Sequence, residues 1–344
     1  MPEKLSAFYN LGYPEMNKFE LYCEAGLTNT GKNVRSVASI RLAGLPGSAI
    51  LIKQRVLPAQ VVRAGGSPKR GSTSMGMNYQ IYEAPPGLQA YVRYFWTIDY
   101  AEDGGKDKAI KILADRFPRL IFQNLDGHIA TKTENGIVLP TAFLSGIITR
   151  QTHYLVKGSY SHLGVSFYPH AMKALFGIDA HELTDTLPDL VNFCSAELIE
   201  KLYDAAGHQQ RVDLLIQYLL SRLSRKTIQL SAINWMIHSP LDRLSSVDEI
   251  LNVVRMSERS LERLFKAHLG ISPKKYLRIL RFEKAVEMLN QSKRTNLSSL
   301  AYAIGYSDQA HFNRDFKEFS GLTPRHFQNQ VKVGREASSF LLES

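Results

Sequence analysis

The sequence predicts an α+β chain: a small β-barrel or sandwich with helices, then an all-helical region of two helix-turn-helix motifs joined by a long helix. Three observations predict it. Between Tyr79 and about Phe167, short strand-like bursts alternate with tight-turn signals. From Ser246 to Phe327 one helical pattern appears twice, its copies about fifty residues apart. Charge is also partitioned: of the formal +10, residues 226–330 carry +6 (16 basic, 10 acidic side chains) while residues 78–225 carry −2. A chain of 344 residues is long enough for two domains, each with its own core.

Residues 1–77 carry +6 and read as a poorly ordered extension or linker. Val34 to Val62 holds short apolar stretches broken by Gly44, Pro46, Gly47 and Pro58, and Gly65 to Ser74 has the composition of a flexible basic linker. A basic arm is the alternative. Met75 or Met77 stands where patterned sequence begins, so the natural start is expected there and the preceding segment is expected to be dispensable.

Residues 78–193 form the β-rich part. Strands are expected at Tyr91–Tyr100, Ala109–Leu113, Arg119–Asn124, His128–Thr133, Ala142–Thr149, His153–Val156 and Ser161–Phe167. Turn signals at Asp103-Gly104-Gly105, Asp126-Gly127, Asn135-Gly136 and Lys157-Gly158 separate them. Pro169–Phe176 reads as a helix ended by Gly177, and helices continue over His181–Asp185 and Ser195–Leu223. Residues 194–226 are a helical connector. Its stripe Val212, Leu215, Ile216 and Leu219 fits either a seam between two copies or packing onto its own domain.

Residues 227–330 open with Ile228, Ile233, Trp235 and Met236 as a first helix. Val247, Ile250, Leu251 and Val254 then stand opposite Leu297, Leu300, Ala301 and Ile304, each set one buried helical face. Ser246 with Glu249 has the form of a capping box, and Gly305 suits a tight interhelical turn. Gly270 and Gly321 end the second helices, and Ser272-Pro273 and Thr323-Pro324 open the next ones. Arg259, Glu262, Arg263 and Lys266, and again Gln309, Asn313, Arg314 and Lys317, face outward. Such a pair of helices has the geometry that enters a DNA major groove. A helix from Pro273 to about Asn290 spans roughly 27 Å, against about 34 Å between successive major grooves on one side of B-DNA. The tail, 331–344, carries no pattern.

From about Thr227 to Gln330 the chain resembles the DNA-binding domain of the AraC/XylS family of bacterial transcription regulators. The likeness rests on Leu300 to Phe312 with Arg314, Phe316, Lys317, Gly321, Thr323 and Pro324, and on Met256 to Lys266 with Gly270 to Pro273. Where the family usually has glycine in the first turn, this chain has Arg255. Ala142 to Gly146, His162 to Pro169, Ala174 to Gly177 and Glu182 to Asp185 resemble the amino-terminal region of a less-studied subgroup. The resemblance implies a cupin-like effector domain, an unidentified small-molecule effector, promoter or operator DNA and RNA polymerase as partners, and a possible homodimer. It also implies base-reading roles for Arg259, Glu262, Arg263, Gln309, Ala310, Asn313 and Arg314, and phosphate contacts for Lys266, His311 and Lys317.

Other chemistries find less support. His128, His153, His162, His170 and His181 fall close together, but without the His-x-His spacing of a cupin metal site, so no metal and no cofactor are expected. Ser145 and Ser159 lack a nucleophile elbow, and no phosphate-binding glycine loop occurs. Tyr91, Tyr94, Phe95 and Trp96 fit an effector pocket or plain core. Cys23 and Cys194 cannot make a disulfide framework, and no run approaches a bilayer span or an export signal; a cytoplasmic protein is expected. The expected function is a sequence-specific DNA-binding transcription regulator, not an enzyme. The alternatives are a metal- or small-molecule-binding β-barrel enzyme tethered to nucleic acid, and a non-specific architectural protein.

Overall fold

The computed structural model describes residues 21–26, 37–42, 77–100, 107–123, 131–157, 160–223, 246–291, 296–330 and 340–342. The chain divides into two compact units, Met1–Ser72 and Thr73–Ser344. In the first, β1 (Leu21–Gly26) pairs antiparallel with β2 (Val37–Leu42), placing Cys23 opposite Ile40. Within the expected extension the described residues thus hold one hairpin, whose strands both end before the Gly44–Gly47 breakers. The Gly65–Ser74 linker and the first helix expected around Trp235 lie outside the described residues.

The second unit begins with β3 (Met77–Glu83), β4 (Val92–Tyr100), β5 (Asp107–Ile112), β6 (Arg119–Gln123) and β7 (Lys132–Thr133). It continues with β8 (Ala142–Ser145), β9 (Thr152–Lys157) and β10 (Tyr160–Phe167), and β11 (Phe340–Leu342) returns from the tail. The strand expected over Ala142–Thr149 stops at Ser145. A side chain at Gly146 would meet the Leu183 carbonyl oxygen at 2.3 Å, so the backbone leaves the sheet there. One sheet has the order β3-β4-β10-β6-β8 and the other β11-β5-β9-β7, all neighbours antiparallel. Neither order closes on itself, so the β part is two open sheets rather than a sealed barrel.

Met172–Phe176 forms a π-helical turn that Gly177 ends at φ +72, and Ala180–Glu182 a 3-10 turn. The Ser195–Leu223 helix divides at Gly207 into α1 (Ala196–Asp204) and α2 (His208–Arg222). Strand register puts Phe95, Leu163, Val165, Leu120, Phe122 and Leu144 on one sheet face. There they pack with Leu202 of α1 and Val212, Leu215 and Leu219 of α2. The α2 stripe therefore covers its own sheet. Burying each such side chain contributes about 1.5–3 kcal/mol.

The helical region is α3 (Val247–Val254), α4 (Glu258–Leu269), α5 (Pro273–Gln291), α6 (Leu297–Ala303), α7 (Gln309–Ser320) and α8 (Pro324–Gln330). α5 is buried on most sides, through Tyr276, Ile279, Leu280, Phe282, Ala285, Val286 and Leu289. The β part is seated against this core. Leu113, Ala114 and Ile147 join it, and the Ala114 amide donates to the Phe319 carbonyl at 2.9 Å. Arg116 donates from Nε to Glu283 at 2.9 Å and from Nη1 to the Tyr276 hydroxyl at 3.1 Å. The Thr184 hydroxyl donates to the Gly270 carbonyl at 3.0 Å.

Candidate nucleic-acid interface

Both helix-turn-helix units form as the pattern requires. At α3, Ser246 Oγ accepts the Glu249 amide at 3.2 Å, and at α6 Asn296 Oδ1 accepts the Ser298 and Ser299 amides at 3.0 and 3.1 Å. The second helix of each unit is capped alike, Ser257 accepting from the Ser260 amide and Asp308 from the His311 amide at 2.7 Å. That amide holds the Asp308 carboxyl below its ordinary value. Gly270 and Gly321 end α4 and α7 at φ +82 and +71.

The turns differ. Gly305 takes φ +85 in the second, whereas Arg255 takes φ +51 and ψ +46 in the first. The left-handed turn is thus retained without glycine.

Leu261, Phe265 and Leu269 turn α4 inward, Phe265 meeting Tyr276 edge-on with ring centres 5.7 Å apart. Phe312, Phe316 and Phe319 do the same for α7 against Phe282. A polar clamp adds to the second contact. Arg278 of α5 donates to Asp315 at 3.0 Å from Nε and 2.7 Å from Nη2, and also pairs with Glu318. The Tyr306 hydroxyl donates to Asp315 Oδ2 at 3.1 Å. Hydrogen bonding to Asp315 holds the Arg278 guanidinium above its ordinary value despite burial. Burial chiefly, with the Asp315 charge, pushes the Tyr306 phenol up. Sequence reading missed this clamp. Its one signal is a carboxylate, Asp315, between Phe312 and Phe316 on an inward face.

Arg259, Glu262, Arg263 and Lys266 are exposed on α4, as are Ala310, Arg314 and Lys317 on α7. Gln309, His311 and Asn313 are half-buried. His311 lies edge-on to the Tyr306 ring with Nε2 3.7 Å from Asp315, so its ring faces the clamp. Asn313 Oδ1 is buried without a hydrogen-bond partner. Glu262, Arg263 and Lys266 also line an open groove with Gly270, Ile271 and Ser272 where α4 hands over to α5.

A family model described as a helix-turn-helix domain matches residues 250–330, and one described as a domain of unknown function, DUF6597, matches residues 80–189. The carboxyl-terminal part of the chain is a helix-turn-helix domain. It is of the AraC type, carried behind a DUF6597 domain. The HTH-type transcriptional regulator ArgR of Pseudomonas aeruginosa is 29% identical over 146 residues, 42% of this chain and 43% of that protein. The HTH-type transcriptional activator RhaS of Escherichia fergusonii is 33% identical over 27% of this chain and 32% of that protein. The chain thus spans less than half the length of either relative. Among solved structures, ToxT of Vibrio cholerae aligns over 68% of this chain and 97% of that one, at 13% identity and a TM-score of 0.39. No described helix is long and apolar enough to cross a membrane.

Proposed function

We propose that this chain is a sequence-specific DNA-binding transcription regulator in which α4 and α7 enter successive major grooves. One observation carries the reading: two similarly built units, fastened to one central helix, both turn basic side chains to solvent. Arg259, Glu262 and Arg263 meet base edges in one groove, and Gln309, Ala310, Asn313 and Arg314 in the next. Arginine pairs bidentately with guanine, asparagine and glutamine with adenine, glutamate accepts from cytosine, and alanine packs on a thymine methyl. The unpartnered Asn313 oxygen suits an adenine amino group. Lys266, His311 and Lys317 neighbour phosphates, His311 only after turning from Tyr306.

In this reading residues 227–330 bind DNA, residues 78–193 receive a small-molecule effector, and 194–226 connect them. The protein is a cytoplasmic regulator rather than an enzyme, acts with RNA polymerase, and is open to homodimerisation. The test is a mobility shift on the protein's own upstream region at fixed salt. Arg263→Ala and Arg314→Ala are each expected to cost about 1–3 kcal/mol of binding and to relax preference at one base pair. Equal affinity of the unaltered protein for unrelated duplexes, or unchanged binding by both variants, would end the proposal.

A further inference from the structure

The β part grips both α4 and α7 at their carboxyl-terminal ends. At the end of α4, the Gly270 carbonyl accepts the Thr184 hydroxyl at 3.0 Å. The fit there is close: a Cβ on Gly270 would stand 2.5 Å from Thr184 Oγ1 and 2.8 Å from the Ala180 carbonyl oxygen. At the end of α7, the Phe319 carbonyl accepts the Ala114 amide at 2.9 Å, and a Cβ on Gly321 would stand 3.0 Å from Gln151 Cδ. A helix-turn-helix reads bases with the first residues of its second helix. Grips at the far ends leave those residues free, and Arg259, Arg263, Ala310 and Arg314 are all exposed.

The two grips belong to one bracket. Residues 180–185 form the arm that reaches α4. Residues 146–151, between β8 and β9, form the arm that reaches α7, and the backbones of Asp115 and Ile148 exchange two hydrogen bonds, at 2.8 and 2.9 Å, beside Ala114. Asp185 joins the arms. Its amide donates to the Ile147 carbonyl at 3.0 Å, and its carboxylate accepts the Thr149 amide at 2.7 Å and the Thr149 hydroxyl at 2.6 Å. Its backbone sits at φ +56, a left-handed conformation that aspartate adopts more readily than most side chains. Such conformations persist where the surroundings over-determine them.

Within the helical region α4 and α7 are related through their separate packing on α5, Phe265 against Tyr276 and Asp315 against Arg278. The bracket closes that open chain into a ring, which restricts how far one helix can tilt against the other. We propose that the bracket fixes the separation of the two reading helices, with Asp185 as the positioning residue, and so selects the spacing between the two stretches of DNA they read. The consequence for DNA rests on the regulator reading; the geometry can be measured without DNA.

The experiment is pulsed electron paramagnetic resonance on the full chain, with nitroxides at Asp248→Cys on α3 and Ser299→Cys on α6, both exposed positions, and serine at Cys23 and Cys194. Asp185→Gly removes the carboxylate yet accepts the left-handed backbone, so the distance distribution is expected to broaden. Thr184→Val, which cuts the grip on α4, should broaden it too. Asp185→Asn should keep it narrow, because the side-chain amide offers an acceptor to the Thr149 amide and a donor to its hydroxyl. One base pair inserted between the two protected grooves of the bound upstream fragment should weaken the wild type at least about tenfold and Asp185→Gly less than about threefold. Distributions for Asp185→Gly and Thr184→Val as narrow as the wild type's overturn the proposal, and so does Asp185→Asn as broad as the glycine variant. Equal spacing penalties for the wild type and Asp185→Gly also overturn it. A broadened distribution in a protein that binds no duplex sinks the regulator reading instead, and with it the consequence for DNA, while the bracket stands.

Discussion

Arg255 holds a backbone conformation that its own Cβ opposes. At φ +51 it closes the first turn as Gly305 closes the second. The left-handed region costs a residue with a Cβ about 1–2 kcal/mol, while glycine costs roughly 0.5–1 kcal/mol in unfolded-chain entropy. Arg255→Gly is therefore expected to raise stability slightly, by less than about 1 kcal/mol in urea unfolding. Its exposed guanidinium sits just before the start of α4, where phosphates would pass if that helix reads DNA. The same variant should then bind DNA more weakly, with a salt slope reduced by about one. A less stable Arg255→Gly protein would show that the arginine makes contacts which outweigh its strain. The departure from glycine is visible in the sequence; that the turn survives it is not, because φ at one residue depends on everything packed around the turn.

Among the elements, α2 is pinned at its first residue. His208 Nε2 lies 2.8 Å from Asp99 Oδ1 of β4, and Ser161 Oγ of β10 donates to the same oxygen at 2.7 Å. Burial alone would raise the Asp99 carboxyl, but the bonds from His208 and Ser161 outweigh it and hold it below 3.8. A carboxyl depressed by folding contributes stability that is present above its unfolded value and lost as pH falls through the folded one. Asp99→Asn should therefore melt lower than the wild type at pH 7, the gap narrowing as pH falls from about 5 to 3. A gap independent of pH would mean that the carboxylate charge is not what fastens α2. Local elements were largely readable in the sequence, because caps, glycine stops and the three-and-four apolar spacing act within a few residues. The α5 helix, expected over Pro273 to about Asn290, ends at Gln291. Polar contacts between elements were not readable. Arg278 finds Asp315 across 37 positions and Arg116 finds Glu283 across 167, separations over which no periodicity persists. The β1–β2 hairpin and β11 escaped for a different reason: short strands that pair once leave too few alternations to recognise.

At the scale of the whole unit from Thr73 to Ser344, Leu113, Ala114 and Ile147 of the β part join the core of the helices, and Arg116 is a charged pin between the two parts. Burial works against its guanidinium, but Glu283 and Tyr276 outweigh this and keep it charged. Glu283 is the weaker member: burial pushes its carboxyl up even with the guanidinium beside it. A buried pair of this kind does little for net stability, yet losing one partner strands the other in an apolar interior. Arg116→Met or Glu283→Leu alone is accordingly expected to destabilise by about 3–5 kcal/mol. The double variant should recover most of that loss, since an apolar pair of similar volume fills the same space. Calorimetry should show one cooperative transition for this unit in the wild type and the double variant. In either single variant the β part and the helical part should separate into two transitions, and the Ala114 amide, bonded to Phe319, should exchange with solvent faster. Strictly additive losses in the double variant would mean that the two side chains act independently. In that case the apolar contacts of Leu113, Ala114 and Ile147, with the Thr184–Gly270 and Ala114–Phe319 hydrogen bonds, would hold the parts together, and any signal from the sheets to α4 and α7 would have to pass through these contacts.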